Sequence, residues 1–158
     1  MTNNEILKRI RYIFDYDDVK MIEIFAMADH KVHRKQISDW FKNDDHESYV
    51  ELSDTELALF LNGLIIEKRG RKEDADGNPQ SAPQPESELN NNIIFNKIKI
   101  ALNLKSDDVL DVMQLADFYM SKHELTAFFR RPDHKHYQPC KNQILRNFLK
   151  GVQLKYRP

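Results

Sequence analysis

The sequence predicts an all-α protein: two homologous four-helix repeats, a tandem duplication, joined by a disordered acidic linker. Three observations carry this. Residue n matches residue n+88 without gaps, as in Asn3/Asn91, Asn4/Asn92, Ile6/Ile94, Ala28/Ala116, Asp29/Asp117, Phe41/Phe129, Phe60/Phe148 and Gly63/Gly151. Apolar residues recur at helical spacing behind helix-start signals, and strand-like alternation is nowhere sustained. Between the copies, residues 73–90 read EDADGNPQSAPQPESELN, with three prolines, one glycine, five acids and no base. Such a segment buries too little apolar surface to fold alone and is expected to be a flexible linker. The expected organisation is therefore a first repeat at 1–72, a linker at 73–90 and a second repeat at 91–158.

The first helix of each copy has one apolar stripe, Ile6, Ile10, Ile13 and Phe14, or Ile94, Ile98, Ala101 and Leu102, and Thr2 with Glu5 has capping-box spacing. A second helix follows DYDD or LKSDD, with acids in its first turn where the helix dipole favours them. Its inward residues are expected to be Ile22, Phe25 and Ala26, and Leu110, Met113 and Leu115. The third opens at Ser121, with Glu124 as capping partner and Met120 stapled to Leu125; Val32, Gln36 and Ile37 fill these roles in the first copy. The fourth opens at Ser53 with Glu56 and the staple Leu52/Leu57, then runs through Phe60, Leu61 and Leu64. Gly63 and Gly151 lie late in it, where glycine is costly unless another backbone approaches closely.

Composition bounds the function classes. The longest apolar runs, such as Leu64, Ile65 and Ile66, are far too short to cross a bilayer, and the first residues have no basic start leading into an apolar stretch. No membrane association is expected, and the location is expected to be cytoplasmic. A single cysteine, Cys140, leaves no internal disulfide and fits a reducing compartment.

The motif Asp-His-x-x-Tyr occurs twice, in FKNDDHESY and FRRPDHKHY, as Asp45, His46 and Tyr49 and as Asp133, His134 and Tyr137. It falls between the third and fourth helices, where an aspartate can cap free N–H groups, a histidine can bond a neighbour and a tyrosine can seal the loop. That favours scaffolding. Catalysis needs a nucleophile or an orienting third group beside the base, and none is visible in both copies. Asp133, His134, His136 and Cys140 have the donor types of a metal set, but the first copy retains only Asp45 and His46. Cys140 is more simply a small apolar residue in the staple slot. Neither a catalytic residue, a metal nor a cofactor is therefore expected.

Charge is more informative. Residues 1–72 carry 12 Lys/Arg against 14 Asp/Glu, residues 73–90 five acids, and residues 91–158 carry 12 against 6, net +6. Lys122, Arg130, Arg131 and Lys135 cluster around the third helix of the second copy with Phe128, Phe129 and Tyr137 nearby, a combination suited to nucleic-acid phosphates. The alternative is that this face is merely solvated or covered by the acidic linker. LADFYMSKHELTAFFRR, residues 115–131, is also superficially like a helix-turn-helix, although its turn lacks the usual glycine. The leading expectation is a non-catalytic module binding RNA or DNA. The second is a protein-interaction adaptor, and the third an enzyme or metal site at the repeated loop. Oligomeric state is left open.

The blocks NNEILKRIRYIF, FKNDDHESY and FLNGLIIEKRG, then NNNIIFNKIKIALNLKSDD, FFRRPDHKHY and LRNFLKGVQ, resemble the YehS-like family of small bacterial proteins with a tandem domain of unknown function, domain 1456. The resemblance covers nearly the whole chain. It implies a cytoplasmic bacterial protein and brings with it no activity and no catalytic residues.

Overall fold

A computed structural model describes residues 1–158 as eight helices without a sheet. They are α1 (Asn3–Phe14), α2 (Asp18–Met27), α3 (Arg34–Trp40) and α4 (Asp54–Arg69), then α5 (Asn91–Ala101), α6 (Ser106–Leu115), α7 (Lys122–Ala127) and α8 (Asn142–Tyr156). The chain forms two compact units, Met1–Leu89 and Asn90–Pro158, with four helices in each.

Local chemistry starts and stops the helices as the sequence suggests. Thr2 accepts a hydrogen bond from the Glu5 amide, and reciprocal capping boxes join Ser53 to Glu56 and Ser121 to Glu124. At the far ends, Asp15 and Asn103 close α1 and α5 in the left-handed region, with φ of 54° and 53°. Asp29 and Asp117 do the same after α2 and α6, at 61° and 55°. Short polar side chains tolerate this conformation better than any residue but glycine, so the helices stop there without a Gly.

Each unit is built around its last helix. α4 packs chiefly on α2, and α8 on α6. Gly63 and Gly151 are the contact points: a Cβ on Gly63 would collide with the Ile24 carbonyl oxygen, and one on Gly151 with that of Val112. This close approach sets the rotation of the second helix. The buried residues are Met21, Ile24 and Phe25 in α2, and Val109, Val112 and Met113 in α6. The expected stripe is thus corrected by about one position, because Ala26 and Leu115 are exposed and Ile22 and Leu110 only half-buried. Aromatic rings fill the space between: Phe25 lies 5.4 Å from Trp40 and 5.3 Å from Phe60, and Phe95 lies 4.3 Å from Phe148.

Residues 73–89 differ from a disordered linker. Glu73 and Pro79 form an antiparallel bridge around a turn in which the Asp74 carboxylate accepts from the amides of Asp76 and Asn78. The chain then runs back along α4. Thr55 Oγ1 donates to the Glu86 carbonyl at 3.3 Å, and the Leu89 amide donates to Asp54 Oδ2 at 2.9 Å. The reason lies in α4, where every residue from 57 to 64 is buried, Ala58, Leu59 and Asn62 included. A helix apolar on all sides needs a second cover, and this strap contributes to it. In α8 the corresponding positions are Arg146, Asn147 and Lys150, and Arg146 and Lys150 are exposed.

Replacing Gly63 or Gly151 by alanine forces two backbones apart, a clash that no rotamer change relieves. Each substitution is expected to cost about 3 kcal/mol, the upper end for overpacking, as a lowered urea midpoint with helicity retained.

Candidate nucleic-acid interface

The loop that carries the repeated motif is held from beneath by two asparagines. Asn4, 4% exposed, donates through Nδ2 to the carbonyls of Trp40 (3.0 Å) and Val50 (2.9 Å) and accepts from the Leu52 amide (2.9 Å). Asn92 repeats all three contacts, to Phe128 (3.0 Å), Gln138 (2.8 Å) and the Cys140 amide (2.8 Å). Its neighbour adds another tie. Asn3 donates to the Leu52 carbonyl and Asp54, and Asn91 to the Cys140 carbonyl and Asn142. The matched pairs Asn3/Asn91 and Asn4/Asn92 were visible in the sequence, but their function as a clamp was not.

On this clamp the Asp-His-x-x-Tyr motif has the geometry of a turn in both copies. The Nδ1 of His46 accepts from the Ser48 amide, and that of His134 from the His136 amide, each at 3.0 Å. The Tyr49 and Tyr137 amides donate back to the carbonyls of His46 and His134. Asp45, His46, Asp133 and His134 are exposed, and Tyr49 and Tyr137 are half-buried at the loop's edge. Phe41 and Phe129, which enter the loops, receive matching cations, Arg11 at 4.7 Å and Lys99 at 5.2 Å from the ring centres.

Cys140 does not join the exposed histidines. It is buried as the staple residue, and burial pushes its thiol up to about 12. No group of three or more His, Cys, Asp or Glu side chains is arranged to hold a metal ion.

What differs between the copies is the surface. Beside Tyr49 lie Glu5, Asp44 and Glu51, whose charges, after desolvation, push its phenol up. The equivalent positions beside Tyr137 are Ile93, Pro132 and Pro139, so the second copy has lost every one of these carboxylates. Glu47 becomes Lys135, Asn43 becomes Arg131, and Lys42 becomes Arg130. Lys122, Arg131 and Lys135 are exposed and Arg130 half-exposed. Lys122 has Asp107 at 3.4 Å and Arg131 has Asp133 at 3.6 Å, both solvent-facing pairs; Arg130 and Lys135 belong to neither. The rings of His134 and His123 flank that of His136 at 5.5 and 6.3 Å, so the loop is folded toward α7. Lys122, Arg130, Arg131 and Lys135 therefore belong to one loop and the short helix before it, on a fixed scaffold.

Truncating Asn92 to alanine removes the partner of three backbone groups at once. The expected loss is about 3 kcal/mol in urea unfolding, at ~1–3 kcal/mol for each group left unpaired and with water relieving part of it. Its thiol reports the same event: Cys140 is expected to resist iodoacetamide in the native protein, to react when unfolded, and to react faster in Asn92→Ala. Because the folded thiol lies near 12 and its ordinary value is 9.0, its contribution to stability is intact below pH 9 and is lost as the pH rises toward 12.

The comparisons with known proteins agree with the duplication. The family model described as "Protein of unknown function (DUF1456)" matches twice, at residues 3–70 and 91–157. The chain is 40% identical over 152 residues to the protein described as "Uncharacterized protein YehS" from Escherichia coli (strain K12), covering 96% of this chain and 94% of that one. No solved structure matches. With both halves matched, the chain belongs to the DUF1456 family, one copy of the domain in each unit.

Proposed function

We propose that this protein is a non-catalytic binding module of the bacterial cytoplasm whose second repeat receives the phosphate backbone of a nucleic acid. The observation that carries this reading is the contrast between two copies of one scaffold. Both keep the asparagine clamp, the histidine turn and the helix-packing glycine, while residues 91–158 alone reach net +6. A scaffold needs no such asymmetry. A polyanionic ligand does, because each phosphate neutralised by Lys or Arg releases condensed counterions.

Lys122, Arg130, Arg131 and Lys135 contact phosphate in this reading, and Tyr137 is half-buried at the edge of the same loop. The acidic strap is bonded to Asp54 and Thr55 of the first repeat. α6 and α7 follow each other as in a helix-turn-helix, but α7 has six residues, about 9 Å at 1.5 Å per residue. A helix that short contacts the ligand through its first turn and the loop after it, without filling a major groove. No helix is long and apolar enough to cross a membrane.

The test is a salt titration of nucleic-acid binding by the full chain and by Arg130→Glu/Arg131→Glu. The variant is expected to keep its helicity, to bind more than tenfold more weakly, and to lower the slope of log affinity against log salt by about 2. Unchanged affinity sinks the surface assignment. Binding that survives high salt points instead to a protein partner.

A further inference from the structure

The second unit has a groove beside its third helix. It lies between the turn after α6 and the start of α8, is lined by Phe118, Tyr119, Phe128, Pro139, Lys141 and Ile144 among others, with the Glu124 carboxylate also on its wall, and has a volume of about 370 Å³. Tyr119 stands at its rim, 70% exposed. The first copy has His30 for Phe118, Lys31 for Tyr119, Glu51 for Pro139 and Glu56 for Ile144, while Val32, Trp40 and Val50 keep it apolar at the positions of Met120, Phe128 and Gln138, so the added apolar surface of the second copy rests on four positions.

Two lining residues are there at a local cost. In the first copy Ser53 and Glu56 form the capping box that starts α4, with bonds of 3.0 and 3.1 Å. In the second copy these positions are Lys141 and Ile144, and α8 starts without a side-chain cap. A lysine at the N-cap also places positive charge against the positive end of the helix dipole. The exchange gives up that cap bond at the start of the helix. What it supplies is a cation and an aliphatic wall in a groove beside an exposed aromatic ring. Departures from local preference of this kind concentrate at functional sites.

The basic loop leaves the groove and returns to it along the chain. Phe128 and Gln138, which both line it, flank the segment that carries Arg130, Arg131 and Lys135. A strand whose phosphates follow that loop is thereby led toward the residues that line the groove. Bases inside a duplex are stacked on each other and cannot offer a face to a protein ring, whereas an unpaired base can. Gln138 lies at the same groove and supplies both a donor and an acceptor for a base edge.

Resting on the nucleic-acid reading above, we infer that the ligand is single-stranded, with one unpaired base stacked on Tyr119 in this groove and Lys141 beside its phosphate. The experiment uses the full chain and fluorescence anisotropy with labelled oligo(U), oligo(dT) and a mixed-sequence duplex, each of about 20 nucleotides. Both strands are expected to bind more tightly than the duplex; a difference between them reports on the sugar. Tyr119→Ala is expected to weaken strand binding about tenfold or more and to leave the duplex unaffected, with Tyr119→Phe restoring the loss. Lys141→Ser/Ile144→Glu rebuilds the capping box of the first copy and is expected to melt at a higher temperature while binding the strand less well.

Equal binding of strand and duplex, with Tyr119→Ala silent but Arg130→Glu/Arg131→Glu impaired, overturns the stacking groove and leaves the phosphate surface standing. No binding of any probe at about 50 mM salt overturns both.

Discussion

Everything in either repeat hangs on a buried amide. Asn4 and Asn92 sit in the first turn of the first helix of their unit and satisfy three backbone groups drawn from the end of the third helix and from the loop before the fourth. A carboxylate could accept but not donate, a hydroxyl has a single donor, and an apolar residue could do neither; a side-chain amide supplies the two donors and one acceptor that these groups require. In an interior of low dielectric those backbone groups are costly to leave unpaired, so the clamp dictates where the loop runs. It also seats Leu52 or Cys140 in the core, since the bond is made by that residue's own amide. The fourth helix starts immediately after, and its glycine then meets the second helix. The asparagine therefore joins the first helix to the end of the third and the start of the fourth, and the glycine adds the second.

With the backbone determined in this way, the two copies are free to differ outside. The first surrounds its loop tyrosine with Glu5, Asp44 and Glu51. The second removes those charges, places cations along the loop, and gives up a helix cap for Lys141 and Ile144. A duplication whose interior is constrained by unpaired-polar penalties and whose exterior is not diverges in this pattern. The repeated histidine lies on the exposed side of the loop, where its imidazole closes the same turn in both copies.

The strap of residues 81–89 illustrates how burial can overrule composition. Its prolines and acids leave it no core of its own, yet α4 beside it is buried on faces that α8 leaves polar. Side-chain and backbone bonds at Asp54 and Thr55 fix where it lies. Composition describes what a segment can do alone, and this one folds against a neighbour.

The sequence by itself determined the all-α class, the duplication, and nearly every helix start, because caps, staples and apolar periodicity act within one or two turns of chain. It also carried the glycine contacts, since a glycine inside an apolar helix has few other uses. The phase of α2 was not legible: MIEIFAM is apolar on more than one face, and the choice falls to a carbonyl of Ile24 meeting Gly63 about 40 residues away. The asparagine clamp, the strap and the groove at Tyr119 likewise join positions dozens of residues apart in the chain. Contacts of that reach have no local period to betray them. Only the tertiary structure decided them, because the penalty for an unpaired buried group depends on what the folded chain brings alongside it.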